Sequence, residues 1–345
     1  MKKKSWLILL LSAMLVLSAC GSGSGDESKE GKDGGLKLGL VTDTGGINDE
    51  SFNQTAWEGM KQAEKELGAE VKYLESNKDS DYIPNLTKLI RGDYDLTWGI
   101  GFKFEEAMRD ISDQFPDAKL GIVDTNMGGN IPDNVVAVTF KEHEGSFLMG
   151  VIAGATTKTD KVGFIGGIES ELIKKFEAGY RAGVHAVNPD AEVKVAYAAS
   201  FTDTAKGRSL AKSMYNDNTD VIYHAAGGVG KGLFSEVKTR EQGKFWAIGV
   251  DMDQSSLAPN HTLSSMIKKV DVAVYDVAAS LDKGTFEGGK EVVLGLEDDA
   301  VGIATTSNKN TPDDVLKKVD EYRNKIIDGE VKVPATIEEL EEFMK

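Results

Sequence analysis

The residues able to do chemistry in this chain sit just beyond its candidate strands, and their types suit holding a small polar ligand. Asp43 follows the run LKLGLVT (36–42), and Gly45, Gly46, Asn48 and Asp49 then lead to Phe52 and Asn53. Gly99, Gly101 and Phe102 lie at the end of YDLTWGI (94–100), and Asp124 ends AKLGIVD (118–124). Gly166 and Gly167 follow the run near 161, Phe201 the run 191–199, and Gly227 and Gly228 the run TDVIYH (219–224). Asp251 closes KFWAIGV (244–250), and Lys268 and Lys269 close the run 262–267. In open α/β sheets, ligands bind beyond the carboxyl ends of the strands. Carboxylates accept hydrogen bonds, an amide both donates and accepts, and a lysine donates. Glycine and aspartate also serve as turn residues wherever strands end. That explains Phe52 and Phe201 less well, because an aromatic flanked by polar residues is a poor loop filler.

Motifs that would imply catalysis or metal binding break down on inspection. Asp43-Thr44-Gly45 matches the aspartic protease triplet, but that chemistry needs two carboxylates sharing a proton. The nearest second candidate, Asp203-Thr204-Ala205, lacks the glycine. Around Gly227-Gly228-Val229-Gly230-Lys231-Gly232, Ala225 stands where a phosphate loop needs its first glycine, and Gly232 where it needs Ser or Thr. A tight strand-to-helix turn with amides free to face a ligand is the better reading. Asp251-x-Asp253-x-Ser255 opens like a calcium loop, but Ser256 replaces its glycine and Thr262 its terminal glutamate. His143, His185, His224 and His261 lack ligand spacing. No Gly-x-Ser-x-Gly elbow is present. The expectation is a protein with no catalytic residues, no metal and no cofactor.

The elements that must position these residues alternate regularly. Candidate strands lie near 36–42, 69–75, 94–100, 118–124, 135–140, 161–166, 191–199, 219–224, 244–250 and 262–267. Candidate helices lie near 52–67, 82–91, 103–115, 142–158, 170–187, 205–217, 229–239, 270–283 and 312–327. Such alternation implies parallel sheets with helices on both faces. The number of strands and the length favour two doubly wound lobes over one wide sheet. Glycines, carboxylates, aromatics and lysine at the strand ends of both lobes would then face a shared cleft.

The N-terminus and the composition say where such a protein would work. Lys2, Lys3 and Lys4 precede an apolar run from Trp6 to Leu17, then Ser18, Ala19 and Cys20, the chain's one cysteine. This is the build of a secretory signal. The run is too short for a permanent span of about 20 residues. We read residues 1–19 as a lipoprotein signal peptide, Cys20 as the lipidation site, and 20–35 as a disordered leash with no apolar residue after Cys20. Two acyl chains would give a stable membrane anchor. The net charge of the chain is −16, and loss of residues 1–19 removes three lysines and no acid, leaving −19. That acidity argues against nucleic acid as a partner. An anchored extracytoplasmic protein also has poor access to ATP and NAD, which lowers the case for cofactor-dependent enzymes.

The segment Val41-Thr42-Asp43-Thr44-Gly45-Gly46-Ile47-Asn48-Asp49-Glu50-Ser51-Phe52-Asn53-Gln54 closely resembles the opening motif of the basic membrane protein family. Members of that family are lipoprotein solute-binding subunits of ABC importers, including purine-nucleoside receptors. Gly121–Asp124, Glu144–Gly150, His224–Gly228, Gly249–Gln254 and Thr262–Lys268 are similar too, in the family's order. The resemblance implies a type I periplasmic-binding-protein fold, two Rossmann-like lobes joined by three crossovers. Carried onto this chain, lobe one would comprise 36–140 and 256–283, and lobe two 141–255 and 284–345. It also implies that Phe52 and Phe201 sandwich a base while Asp43 and Asn53 face its polar edge. Asp124, Asp251 and Lys268 would hold the ribose hydroxyls beside the Gly227 and Gly228 amides, with Lys269 an alternative to Lys268. Asn48 completes the implied set, although many relatives carry aspartate there. No basic cluster suits a phosphate, so nucleosides are expected rather than nucleotides.

The resulting expectation is a monomeric, lipid-anchored receptor on the extracytoplasmic face of the cell membrane. It would bind nucleosides, purine nucleosides foremost, and deliver them to an ABC permease and its ATPase. The alternatives are the same fold holding a sugar, a ligand sensor acting on a membrane signalling protein, and a secreted hydrolase.

Overall fold

A computed structural model of the protein describes residues 35–345, so the expected signal peptide and Cys20 lie outside the described residues. Strands β1 (Lys37–Thr42), β2 (Glu70–Leu74), β3 (Leu96–Ile100), β4 (Leu120–Val123) and β5 (Val135–Phe140) come first among the described residues. Helices α1 (Phe52–Leu67), α2 (Tyr82–Ile90) and α3 (Glu105–Gln114) link them. Then α4 (Glu142–Thr156) leads into β6 (Lys161–Gly166), α5 (Glu171–Val187), β7 (Glu192–Tyr197) and α6 (Thr204–Asn216). β8 (Val221–Ala225), α7 (Gly230–Val237), β9 (Trp246–Asp251) and β10 (Thr262–Lys268) complete that run. The chain ends with α8 (Val270–Asp282), β11 (Lys290–Leu294), β12 (Val301–Ile303), α9 (Asp313–Ile327) and α10 (Ile337–Phe343).

Two six-stranded sheets result, ordered β2-β1-β3-β4-β5-β11 and β7-β6-β8-β9-β10-β12. All neighbours are parallel except β12, which runs antiparallel to β10. Apart from the outermost strand, both lobes thus repeat one doubly wound order, and α/β with two Rossmann-like lobes describes the chain. Each order reverses beside its first strand, at β1/β3 and β6/β8, where a doubly wound sheet opens a crevice. The inner strands β3, β4, β5 and β8 are buried along their whole length, on both faces, as parallel sheets covered by helices require, while the edge strands β2, β7 and β11 are exposed or half-buried. In β3 and β4, Trp98 lies opposite Gly121, where a β-carbon would stand 2.5 Å from the indole. The absent side chain leaves the volume the indole fills. In lobe two, α4 and α5 pack with their backbones almost touching. A β-carbon on Gly150 would meet the Tyr180 carbonyl oxygen at 2.1 Å, and one on Gly183 the Phe147 carbonyl oxygen at 2.0 Å.

The sheets correct the expected lobe boundaries. β10 pairs with β9 and belongs to lobe two, although 256–283 was assigned to lobe one. β11 pairs with β5 and belongs to lobe one, although 284–345 was assigned to lobe two. α8 packs along α1, where a β-carbon on Gly59 would stand 2.3 Å from the Asp271 carbonyl oxygen. The chain therefore crosses between lobes at 141, in line with the boundary expected near 140, and then at 269 and within 295–300 rather than near the other two expected boundaries, 255 and 284. The physical reason is the β10–α8 step. It has the local pattern of an ordinary strand-to-helix turn, but the helix returns to the other sheet.

Candidate ligand-binding site

The carboxyl ends of both sheets enclose a cleft with about 570 Å³ of empty space, part of it open to solvent. Asp43, Phe52, Asn53, Asp124, Phe201, Gly227, Asp251 and Lys268 line it. Two other candidates do not. Asn48 is exposed, and its carbonyl accepts a 2.6 Å hydrogen bond from Lys231 Nζ. Gly228 is buried beside the Phe201 carbonyl, one residue beyond the lining Gly227. Lys269, the alternative to Lys268, pairs with Asp299 at 2.6 Å on the outer surface.

At the lobe-one end, the turn before α1 builds a polar wall. The Asp49 carboxylate accepts from the backbone N–H groups of Ser51 (2.9 Å), Asn53 (2.9 Å) and Gln54 (3.1 Å), so it caps the helix in place of the residue at the cap position. These are donors the helix itself leaves unpaired. Asn53 Nδ2 donates to Asp43 Oδ1 at 2.8 Å and to Asp49 Oδ2 at 3.0 Å. Both acceptors are carboxylates, which fixes the amide with nitrogen towards them. Its oxygen is buried in the cleft wall with no hydrogen-bond partner among the described residues. Burial pushes the pKa values of Asp43 and Asp49 upward, against the N–H groups that hold them down.

The aromatic faces are set by strand-end glycines. A β-carbon on Gly167, after β6, would stand 2.2 Å from the Phe201 ring. One on Gly101, after β3 and at φ +112°, would stand 3.4 Å from the Phe52 ring. Phe201 also meets Phe102 of the opposite lobe edge-to-face, with ring centroids 6.3 Å apart. Such pairs add about 0.5–1.5 kcal/mol beyond burial.

The charged centre joins the lobes. Asp124 directly follows β4 and Asp251 ends the equivalent strand β9, and both hold left-handed backbone at φ +71° and +66°. Aspartate tolerates this region better than most residues, and such strain concentrates at functional sites. Lys268 Nζ lies 2.5 Å from Asp124 and 3.1 Å from Glu142, and 5.1 Å from the centroid of Phe52. All three charged groups are almost wholly buried. Ser51 of lobe one donates to the Asp251 carboxylate of lobe two. Burial lifts the Asp251 pKa to about 7, with Lys268 and Ser51 pulling it back. Burial also raises Asp124, opposed by Lys268. For Lys268, burial pushes the pKa down, but Asp124, Glu142 and Asp251 outweigh it and hold the ammonium charged. The centre therefore has more carboxylates than cations. It is suited to hydroxyl and N–H donors, and repels anions.

Asp49 and Phe102 were named at strand ends but given no role in the site, and Phe176 and Glu142 were not singled out at all. Asp49 was visible as an acid in the turn before a helix, a capping signal. Phe102 was visible as a strand-end aromatic, but Phe176, inside α5, had no signal that separates it from a core residue. Glu142, behind Lys268, opens a helix in which acids are ordinary first-turn residues.

Comparison with known proteins agrees with this architecture. Residues 36–337 match the Bmp family model, described as ABC transporter substrate-binding protein PnrA-like. The "CD4+ T-cell-stimulating antigen" of Listeria innocua is 45% identical over 358 residues, covering 97% of this chain and 99% of its own. The "ABC transporter nucleoside-binding protein BmpA" of Lactococcus lactis is 38% identical over 347 residues, covering 95% and 97%. A solved ABC transporter solute-binding protein from Aeropyrum pernix superposes with a TM-score of 0.80 at 26% identity, covering 89% of this chain and 96% of that one. The chain belongs to the Bmp family of PnrA-like ABC transporter substrate-binding proteins.

Proposed function

We propose that this protein is a lipid-anchored, extracytoplasmic nucleoside receptor that hands its ligand to an ABC permease and its ATPase. It acts by binding and release, as a monomer, without catalysis. The observation that carries the reading is the pairing, in one cleft, of Phe52 and Phe201 from opposite lobes with the Asp124–Lys268–Asp251 centre. An aromatic pair suits a flat base, at about 1–3 kcal/mol per stacked base. Two carboxylates suit vicinal ribose hydroxyls, and Lys268 offsets their charge while donating. Asp43 and Asn53 suit the polar edge of the base, where the unpartnered Asn53 oxygen would accept from a ring N–H or amino group. The name of the Lactococcus lactis relative supports the ligand class. Cys20, after its apolar run, supports the anchor.

Calorimetric titration with adenosine, guanosine, inosine, uridine, free ribose and a nucleoside monophosphate tests the ligand. Purine nucleosides should bind at micromolar Kd or tighter, about −8 kcal/mol, and the phosphate ester far more weakly. Binding to a free sugar and to no nucleoside would replace the reading with the sugar alternative. Loss of membrane association in Cys20→Ser, together with loss of nucleoside uptake by the cells, tests anchor and delivery. Uptake that persists from a released protein would refute the need for an anchor.

A further inference from the structure

Three polar contacts run from lobe two into one short segment of lobe one, Asn48–Ser51, which leads into α1 and so into Phe52 and Asn53. One is Ser51 to Asp251, inside the cleft. The other two come from residues that do not line it. Lys231 Nζ donates to the Asn48 carbonyl at 2.6 Å, and Gln254 Nε2 donates to the Glu50 carbonyl at 2.7 Å. Gln254 is built for this reach. Its side-chain oxygen accepts from the Val250 backbone N–H at 3.0 Å and faces His224 Nε2 at 2.9 Å. A backbone N–H can only donate, so the Gln254 oxygen is the inward atom, His224 carries its proton on Nε2, and the amide nitrogen points across to lobe one. Burial lowers the His224 pKa to about 4, which keeps the ring neutral in that form. Two glycines clear the seat. A β-carbon on Gly249 would stand 2.6 Å from the Gln254 oxygen, and one on Gly230 would stand 2.0 Å from the His224 ring. On the receiving side, Glu50 holds left-handed backbone at φ +56°, unusual for a residue with a side chain. Such backbone persists where surrounding contacts over-determine it.

We propose that Gln254, seated by His224 and aided by Lys231, is a closure latch that sets ligand affinity without touching the ligand. It grips the segment that carries the lobe-one binding residues, and so stabilises the closed form over the open one. A ligand that binds between closed lobes has its affinity scaled by the closed fraction. The latch therefore acts on every ligand alike and mainly on the dissociation rate. The nature of the test ligand rests on the nucleoside reading, but the latch itself does not.

The test compares Gln254→Met and Lys231→Met with the wild type, by stopped-flow and calorimetry with guanosine or inosine, and by small-angle scattering without ligand. Loss of one interlobe hydrogen bond should raise Kd roughly fivefold in Lys231→Met and roughly tenfold or more in Gln254→Met. Dissociation should be faster, association little changed, and the ligand-free radius of gyration larger. Kd and dissociation rates within twofold of wild type in both variants would overturn the latch. Should Gln254→Met not fold, Lys231→Met decides, because it keeps the side-chain stem and lies at the surface. If the wild type binds no nucleoside, the ligand reading falls, and scattering still decides. A larger ligand-free radius in the variants supports the latch, and an unchanged one overturns it.

Discussion

Lys268 and Glu142 meet at 3.1 Å where the chain passes between the lobes at two separate points. Glu142 opens α4 just after the first crossing, and Lys268 ends β10 just before the second. Their ion pair ties two crossings together at the floor of the cleft, and Asp124 shares the same ammonium. The crossings and the proposed binding centre thus share one electrostatic unit, and a change at Lys268 should register in both stability and affinity.

Lys268→Met keeps the stem in its apolar surroundings and removes the charge. Buried Asp124 and Glu142 then lose their shared cation, Glu142 keeping only Lys175 at 3.7 Å, which should destabilise the protein by about 3–5 kcal/mol in urea unfolding. Adding Glu142→Gln should restore part of that loss, because the stranded charge goes with it. Additive losses in the double variant would show that the two residues are not coupled.

Asp49 holds the start of α1 and the Asn53 amide together. Asp49→Ala should cost about 1–2 kcal/mol of stability, the magnitude of a lost helix cap. It should also weaken ligand binding, because Asn53 loses one of its two orienting acceptors. Unchanged affinity with lowered stability would reduce Asp49 to a cap alone.

Asp251 makes the ligand-free protein sensitive to pH. Its pKa is about 7 when folded, against 3.8 without the fold, so the native state binds the proton more tightly. The resulting stability is full below about pH 4 and is lost as pH rises through about 7. Asp251→Asn should therefore flatten the fall in thermal midpoint between those values and raise the midpoint at pH 8, while abolishing ligand binding. A midpoint at pH 8 lower than wild type would contradict the assignment of burial as the cause.

The two aromatics should differ from the carboxylates in what they recognise. Phe52→Ala and Phe201→Ala should each weaken nucleoside binding by about 1–3 kcal/mol, roughly 5- to 150-fold, with the loss shared across bases. A loss confined to one base would point to an edge contact instead of stacking.

Much of the architecture was legible because local pattern and global fold agree. The run FNQTAWEGMKQAEKEL was expected as a helix at 52–67, and α1 spans those residues. Strand ends placed Asp43, Asp124 and Asp251 at the cleft, since parallel sheets gather their carboxyl ends on one side. Lobe membership was less legible. β11 is KEVVL, short and exposed, with too little apolar pattern to be read as a strand, and its partner β5 is remote in sequence. The choice between Lys268 and Lys269 turned on strand register, which puts successive side chains on opposite faces. Asn48 was named at the end of the first strand and given a ligand role by the resemblance, but it is its backbone carbonyl that meets the opposite lobe.

The most direct measurement compares Kd for guanosine, its 2′,3′-dideoxy counterpart, the free base and free ribose on the same protein. A nucleoside held by Phe52 and Phe201 at its base and by Asp124, Lys268 and Asp251 at its ribose should bind at micromolar Kd or tighter. The dideoxy form should lose about a hundredfold or more, two buried hydrogen bonds to charged groups being worth about 3 kcal/mol or more. The free base and ribose should bind weakly. Equal affinity for the dideoxy form, or ribose binding as tightly as guanosine, would contradict this division of labour in the cleft.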